Sequence, residues 1–396
     1  MRPVSLLPFS ILKVSMPNPQ RDFSRGFLPL TDPLSCLPAP FADWEAVAQG
    51  LSKLALSGSL RNTLAALPPF PVAALQGERE LERAMNMLSF MANLYVFAPD
   101  QPVATRLPAS LAVAWHHVAT QLGRPPMLAY AAQTLHNWRR IDPAGPIAVG
   151  NLAMIQNFLG GMDEEWFVTL HVNIEAAAGP ALAVLLPAQK AVVQDDVERL
   201  EGCLAEVAIT LQTLHDILLR MPERCDPYIY YHRVRPYMFG WKDNPLLPEG
   251  MVYEGVTLYA NRPQHFRGET GAQSSVIYAL DAALGVEHEF DAMRAYLNEM
   301  YAYMPVQDRA FIQNVAGGPS IRAYVAQHKG TKPSLRDAYN ACVEKLGQFR
   351  RLHIEYAVRY VLKPGQGSQQ GEVGTGGTPF PVYLKKHIQE TAAHLL

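Results

Sequence analysis

Apolar and aromatic side chains recur at alternating steps of three and four residues late in the chain: Leu335, Tyr339, Cys342, Leu346, Phe349, His353, Tyr356 and Tyr360. That rhythm places all eight on one side of a helix, with a single histidine in an otherwise apolar or aromatic seam. The helix is predicted to open at Ser334, where Asp337 three residues on completes an N-terminal capping signature, and to end before Pro364. Helical periodicity also runs over 78–97, 109–121 and 127–138. EWFVTLHVNIEAAA reads as one helix broken near Gly179-Pro180, and 188–221 as another, stopped by Pro222. SSVIYALDAALG is a helix that Ser274 or Ser275 can cap, and a short helix closes the chain behind a Gly-rich segment, KPGQGSQQGEVGTGGTPF. Residues 1–75 are proline-rich, with short elements and a helix expected over Trp44–Leu54. Residues 240–273 form a long irregular excursion of the kind that is usually functional or disordered.

The polar link RRIDPAGPIAVGN, 139–151, suggests a domain boundary. No internal repeat and no strand–helix alternation is visible. The expected fold is therefore mainly α, with a smaller, mostly helical N-terminal part (1–150) and a large all-helical part (151–396).

Composition narrows the function classes. The chain has 396 residues, 49% of them hydrophobic and 18% charged, which suits a soluble globular protein. A net charge of −2 supplies no basic field for nucleic acid or an anionic membrane. No run of 18 consecutive apolar residues exists, so a membrane span is not expected. The opening MRPVSLLPFSILKVSMPNPQ faintly resembles a leader, but Pro8 interrupts its apolar run and a clear small-residue cleavage site is missing; Met16 is an alternative start. Cys36, Cys203, Cys225 and Cys342 are scattered, which gives no support to a zinc site, a thioredoxin-type pair or covalent haem attachment. Reduced thiols in a cytoplasm are the expectation.

On pattern alone, His353 is either a core histidine satisfied by one hydrogen bond or an axial ligand on a rigid helix. No second histidine lies at i±3 or i±4, so a multi-histidine site on this helix is excluded, whereas a haem needs only one imidazole. His171 poses the same alternative, lying four residues after Phe167 and four before Glu175. It is either a core residue paired with a neighbour or a hydrogen-bonding group over an active site. In YIYYHRVRPYMFGWK (228–242), Arg235 either snorkels to water or presents a guanidinium between aromatic walls, an arrangement suited to an aromatic acid. GTGG (374–377) lacks the P-loop pattern, and there is no GxGxxG after a strand, no GxSxG and no HExxH.

Five stretches, matched in order, resemble the indoleamine 2,3-dioxygenase family: RPPMLAYAAQTLHNWRRIDP (124–143), GWKDNPLLPEGMVYEG (240–255), GAQSSVIYALDAALG (271–285), the RxxH of Arg350 and His353, and GTGG. The resemblance runs from about residue 24 to the C-terminus. It implies a small N-terminal domain capping a large helical domain that holds haem b, with His353 as the proximal iron ligand. It further implies that Arg350 and Asp281 form an ion pair behind that ligand helix, and that Thr270 and Gly271 lie beside the haem edge. On the substrate side it implies Arg235 as the carboxylate clamp, Tyr130 as an aromatic wall and Thr375 near the substrate ammonium.

Three departures bear on specificity. Tyr230 and Tyr231 stand where the best-known members have a phenylalanine pair, His171 where they have a hydroxyl residue, and Glu269 where they have a small one. A distal histidine also occurs in the related tryptophan 2,3-dioxygenases, where it meets the indole N–H. The implied reaction adds both atoms of O2 across the indole C2–C3 bond of tryptophan, giving N-formylkynurenine, with an electron donor keeping the haem ferrous. A monomer is favoured. Competing readings are a haem oxygenase of another indole in secondary metabolism and a non-catalytic haem sensor. A carboxylate clamp at Arg235 counts against the sensor.

Overall fold

The structure is a computed structural model that describes residues 21–289, 292–365, 374–376 and 380–396. The leader-like stretch and most of the Gly-rich segment lie outside the described residues.

The N-terminal third is built on α1 (Ala42–Gln49), α2 (Leu51–Leu56), α3 (Leu60–Ala66), α4 (Gly77–Val96), β1 (Arg106–Leu107) and α5 (Ala109–Gln121). The helix expected over Trp44–Leu54 is thus two short ones, divided at Gly50, whose intrinsic helix propensity is poor. The periodicity seen over 127–138 does not become an α-helix. A π turn over Ala131–Leu135 is followed directly by β2 (Trp138–Arg140), which pairs antiparallel with β3 (Leu152–Met154). That pairing crosses the link at 139–151.

α4 is buried almost all round, from Glu82 to Leu94, so its charges need partners within the protein. Arg83 reaches both oxygens of Glu45 at 3.0 and 2.7 Å and also donates to Asn86. Glu45 in turn accepts from the Leu37 backbone N–H at 2.8 Å. Glu45→Ala would leave a buried guanidinium uncompensated, and breaking such a pair costs about 3–5 kcal/mol. Urea unfolding should show that loss, with less than 1 kcal/mol indicating that water or another acceptor compensates.

The large part runs through α6 (Met162–Ala177), α7 (Gly179–Gln194), α8 (Val197–Leu219), the single turn α9 (Pro227–Ile229), β4 (Val252–Tyr253), α10 (Ser275–Leu284), α11 (Ala292–Met300), α12 (Val306–Ala316), α13 (Ile321–His328), α14 (Pro333–Ala357), the turn α15 (Lys363–Gly365) and α16 (Phe380–Ala392). The run over 188–221 is divided at Asp195, which takes a left-handed conformation, and Asp196 caps α8 by accepting from the Arg199 N–H. A single αL residue is too local an event to disturb an otherwise continuous apolar stripe. β4 pairs parallel with β1, tying the 240–273 excursion to the N-terminal third.

α8 and α14 pack along each other at the centre of the bundle. α8 contributes Leu200, Leu204, Val207, Leu211, Leu214 and Leu218, and α14 contributes Leu335, Tyr339, Cys342 and Leu346, all buried. Each fully buried Leu contributes about 1.5–3 kcal/mol, so this seam is a main source of the fold's stability. The stretches Met162–Gln194 and Val197–Glu223 are long and apolar enough to cross a bilayer, with hydropathy 1.4 and 1.3. Their apolarity is accounted for by packing, since Leu170, Leu182, Leu185 and Leu211 lie in the protein interior.

Ser274 caps α10 by accepting from the Val276 N–H. The expected cap of α14 does not form. The helix starts at Pro333, and the Ser334 hydroxyl donates to Glu201 instead. Nor does Pro364 terminate it cleanly, because the backbone first widens into a π turn over Val358–Leu362.

Candidate functional site

α6 sets three side chains on one face at intervals of four: Phe167, His171 and Glu175. The His171 Nδ1–H donates to the Phe167 carbonyl at 2.7 Å, which leaves Nε2 as the acceptor nitrogen. Burial depresses its pKa, so the ring is neutral near pH 7. His171 does not pair with Glu175. That carboxyl accepts from Ser274 Oγ at 2.6 Å, and burial pushes its pKa up to about 7.

Aromatic rings close around the imidazole. Phe167 lies 4.6 Å from the His171 ring and 4.7 Å from Tyr230, and Tyr130 meets His171 edge-on at 6.3 Å. Tyr130 is held from below, where Gln273 Oε1 accepts its backbone N–H at 2.9 Å. The π turn over Tyr230–Val234 delivers Arg235, which is 2% exposed. Its guanidinium lies over the Phe239 and Tyr231 rings at 4.6 and 5.1 Å.

The seam of α14 opens where it reaches this region. Leu335 to Leu346 are sealed in the core, but Phe349 and Tyr356 are only half-buried and His353 is accessible. His353 is therefore the one exposed residue of the eight in the seam. Dense protein around it nonetheless pushes the His353 pKa down to about 4, first through burial and second through the nearness of His171. The two imidazoles thus lie near one another on different helices. His353 makes no hydrogen bond among the described residues.

Behind α14, Arg350 Nη2 lies 2.5 Å from Asp281 and its Nη1 donates to Thr391. Burial alone would raise the Asp281 pKa, but Arg350 and His288 outweigh it and hold the group ionised. His288 stacks on His387 at 4.0 Å and contacts Glu390 at 2.6 Å. His288, His387, Glu390 and Thr391 were not anticipated. They are separated from Asp281 and Arg350 by up to about a hundred residues, and no spacing rule joins them.

The loop 268–271 closes the other side. Thr270 accepts from the Ala272 N–H, and a short turn begins at Gly271. Thr375 Oγ1 donates to the Glu269 carbonyl at 2.5 Å, while its own carbonyl accepts from the Gly240 N–H. All the residues singled out in the sequence therefore fall around one region. Arg350 and Asp281 are the exceptions in kind, lying behind α14 and not on the pocket wall.

An accessible imidazole near His171, with no hydrogen bond among the described residues, has the chemistry to hold a haem iron. His353 fits an axial ligand on its own chemistry, being neutral, oriented by its helix and free of competing hydrogen bonds. The family model for indoleamine 2,3-dioxygenase matches residues 20–394. Indoleamine 2,3-dioxygenase 1 of Rattus norvegicus is 33% identical over 381 residues, covering 93% of this chain and 92% of the relative. Indoleamine 2,3-dioxygenase 2 of Homo sapiens is 33% identical over 386 residues, covering 94% and 93%. A 6-hydroxytryptophan 2,3-dioxygenase of Fusarium equiseti is 32% identical over 365 residues, covering 91% and 89%. The chain belongs to the indoleamine 2,3-dioxygenase family, and it is a haem-dependent dioxygenase.

Proposed function

We propose that the protein opens the indole ring of L-tryptophan with O2 to give N-formylkynurenine, using haem b held by His353. The observation that carries this reading is an accessible imidazole on α14 near His171, together with the buried Arg235 guanidinium over the Tyr231 and Phe239 rings. Bound haem supplies the binding and activation of O2. The chain's own residues orient and enclose. Arg235 takes the substrate carboxylate, Tyr130 and Phe167 flank the indole, and Tyr230 and Tyr231 complete the wall. Thr270 and Gly271 border the cofactor edge, Thr375 ties the 374–376 segment to that loop, and the Asp281–Arg350 pair braces the ligand helix from behind. Residues 1–150 cap the large helical part, 151–396. Both atoms of O2 enter the product, so an electron donor serves only to restore ferrous iron. A monomer in the cytoplasm accords with the free cysteines and the near-neutral charge.

Turnover of tryptophan with ascorbate and methylene blue as reductants tests the reading, and absence of kynurenine products overturns it. A second reading, dioxygenation of a substituted indole, draws on Tyr230, Tyr231 and Glu269 and on the Fusarium relative. A panel of ring-substituted tryptophans separates the two.

His171 carries the sharpest prediction within this reading. With Nδ1 committed to Phe167, its Nε2 lone pair is free to accept from the indole N–H. A neutral hydrogen bond contributes on the order of 1 kcal/mol, so His171→Ser should cost about fivefold to tenfold in kcat/KM for tryptophan. The smaller side chain should also admit 1-methyltryptophan, which has no proton to donate and carries an extra methyl group. Unchanged selectivity between the two substrates, with a lowered Tm, would show that His171 only supports α6.

A further inference from the structure

Glu269 is the one acid in the 268–271 loop, and no contact described above engages its carboxyl. It is 3% exposed, and its carboxyl makes no hydrogen bond or ion pair among the described residues. Its backbone is pinned on both sides. The Glu269 N–H donates to the Met238 carbonyl at 3.1 Å, three residues beyond Arg235, and its carbonyl accepts from Thr375. Neighbouring Gly268 admits no side chain, because a Cβ there would stand 2.3 Å from both the Gly240 nitrogen and the Met238 oxygen. The loop therefore lies hard against the segment that carries Arg235.

The carboxyl lies near the pocket wall. Its charge bears on Tyr130 and on Tyr230, two phenols of that wall, raising both. Arg235 acts on Tyr230 with the opposite sign. Yet no ion pair joins Glu269 to Arg235. A buried acid and a buried base thus address the same ring from separate positions without meeting each other.

We infer that Glu269 is a specificity-determining residue that takes the α-ammonium of an amino-acid substrate, while Arg235 takes its carboxylate. The inference rests on the proposed function and assigns the residue that holds the ammonium of its amino-acid substrate. A largely buried carboxyl without a donor is costly to keep, and an arriving ammonium supplies up to three. Burial pushes the Glu269 pKa up to about 8, so the free protein holds it protonated. On binding, the O–H bond breaks, the proton leaves to solvent, and the carboxylate accepts from the ammonium.

The test uses the haem-loaded enzyme as wild type, Glu269→Gln and Arg235→Ala. Dissociation constants for L-tryptophan, tryptamine (no carboxylate) and indole-3-propionate (no ammonium) are read from the Soret change, beside tryptophan turnover. Glu269→Gln should weaken tryptophan and tryptamine about tenfold or more and leave indole-3-propionate within about twofold. Arg235→Ala should show the mirror pattern. Equal weakening of all three in Glu269→Gln, at normal haem content, overturns the inference in favour of a structural role. An unchanged tryptamine constant, or an effect confined to ring-hydroxylated tryptophans, overturns it in favour of a subsite for the indole ring. Failure of the underlying function is separate, since it appears in the wild type as no binding and no turnover of any indole.

Discussion

His353→Ala should purify nearly free of haem and without dioxygenase activity, while its far-ultraviolet circular dichroism stays that of the parent. The argument is one of elimination among the histidines near the site. His171 has one ring nitrogen tied to Phe167. His288 is engaged by Glu390 and His387 behind the ligand helix. His232 is exposed but packed against Tyr228 and Tyr231, whereas His353 is accessible with no hydrogen bond or ring contact among the described residues, and at a pKa of about 4 it is a free base throughout the working range. Its helix is anchored by the Leu335–Leu346 seam on one face and by the Arg350–Asp281 pair three residues before the ring. Replacing the side chain therefore removes the ligand without removing the support. Added imidazole should restore a Soret band by occupying the released space. A normal Soret spectrum in His353→Ala without imidazole would show that another group holds the iron.

Arg235→Ala should lower kcat/KM for tryptophan by about a hundredfold or more while haem content stays normal. A hydrogen bond to a charged group contributes about 1.5–3 kcal/mol, and a guanidinium can offer two to one carboxylate. Arg235 is already desolvated between Tyr231 and Phe239, so little further dehydration accompanies binding. Tryptamine, with no carboxylate, should lose little. Arg235→Lys should fall between, because an ammonium keeps the charge but not the planar fork. Equal losses for tryptophan and tryptamine would mean that Arg235 acts through folding, as a cation packed between two rings.

Local rules went furthest where one residue's neighbours in sequence are also its neighbours in space. The 3.6-residue period marked α4, α5, α6, α10 and α14, and Ser274 announced its cap, because both signals act within one turn of helix. The same rules failed where a single dihedral or one extra residue per turn decided the outcome. The αL residue Asp195 ends one helix without any break in the apolar stripe, and the π turn at Ala131–Leu135 replaces the helix expected over 127–138. The Ser334 cap failed for a different reason, since a partner on α8 outcompeted the local backbone.

The residue types of the pocket were readable, above all one histidine in an aromatic seam and one arginine among tyrosines. Which of them meet was not. His171 and Glu175 share a helix face, but Ser274, ninety-nine positions away, takes the carboxylate and frees the imidazole for the pocket. Asp281 and Arg350 are joined by His288, His387 and Glu390 only because α10, α14 and α16 converge there. Glu269 could be seen as an unusual residue in its loop, but its burial without a partner became visible only once Gly268 and Gly240 were found in contact. Such pairings depend on how helices pack, which is set by the summed burial of many apolar side chains and not by any short spacing of polar ones.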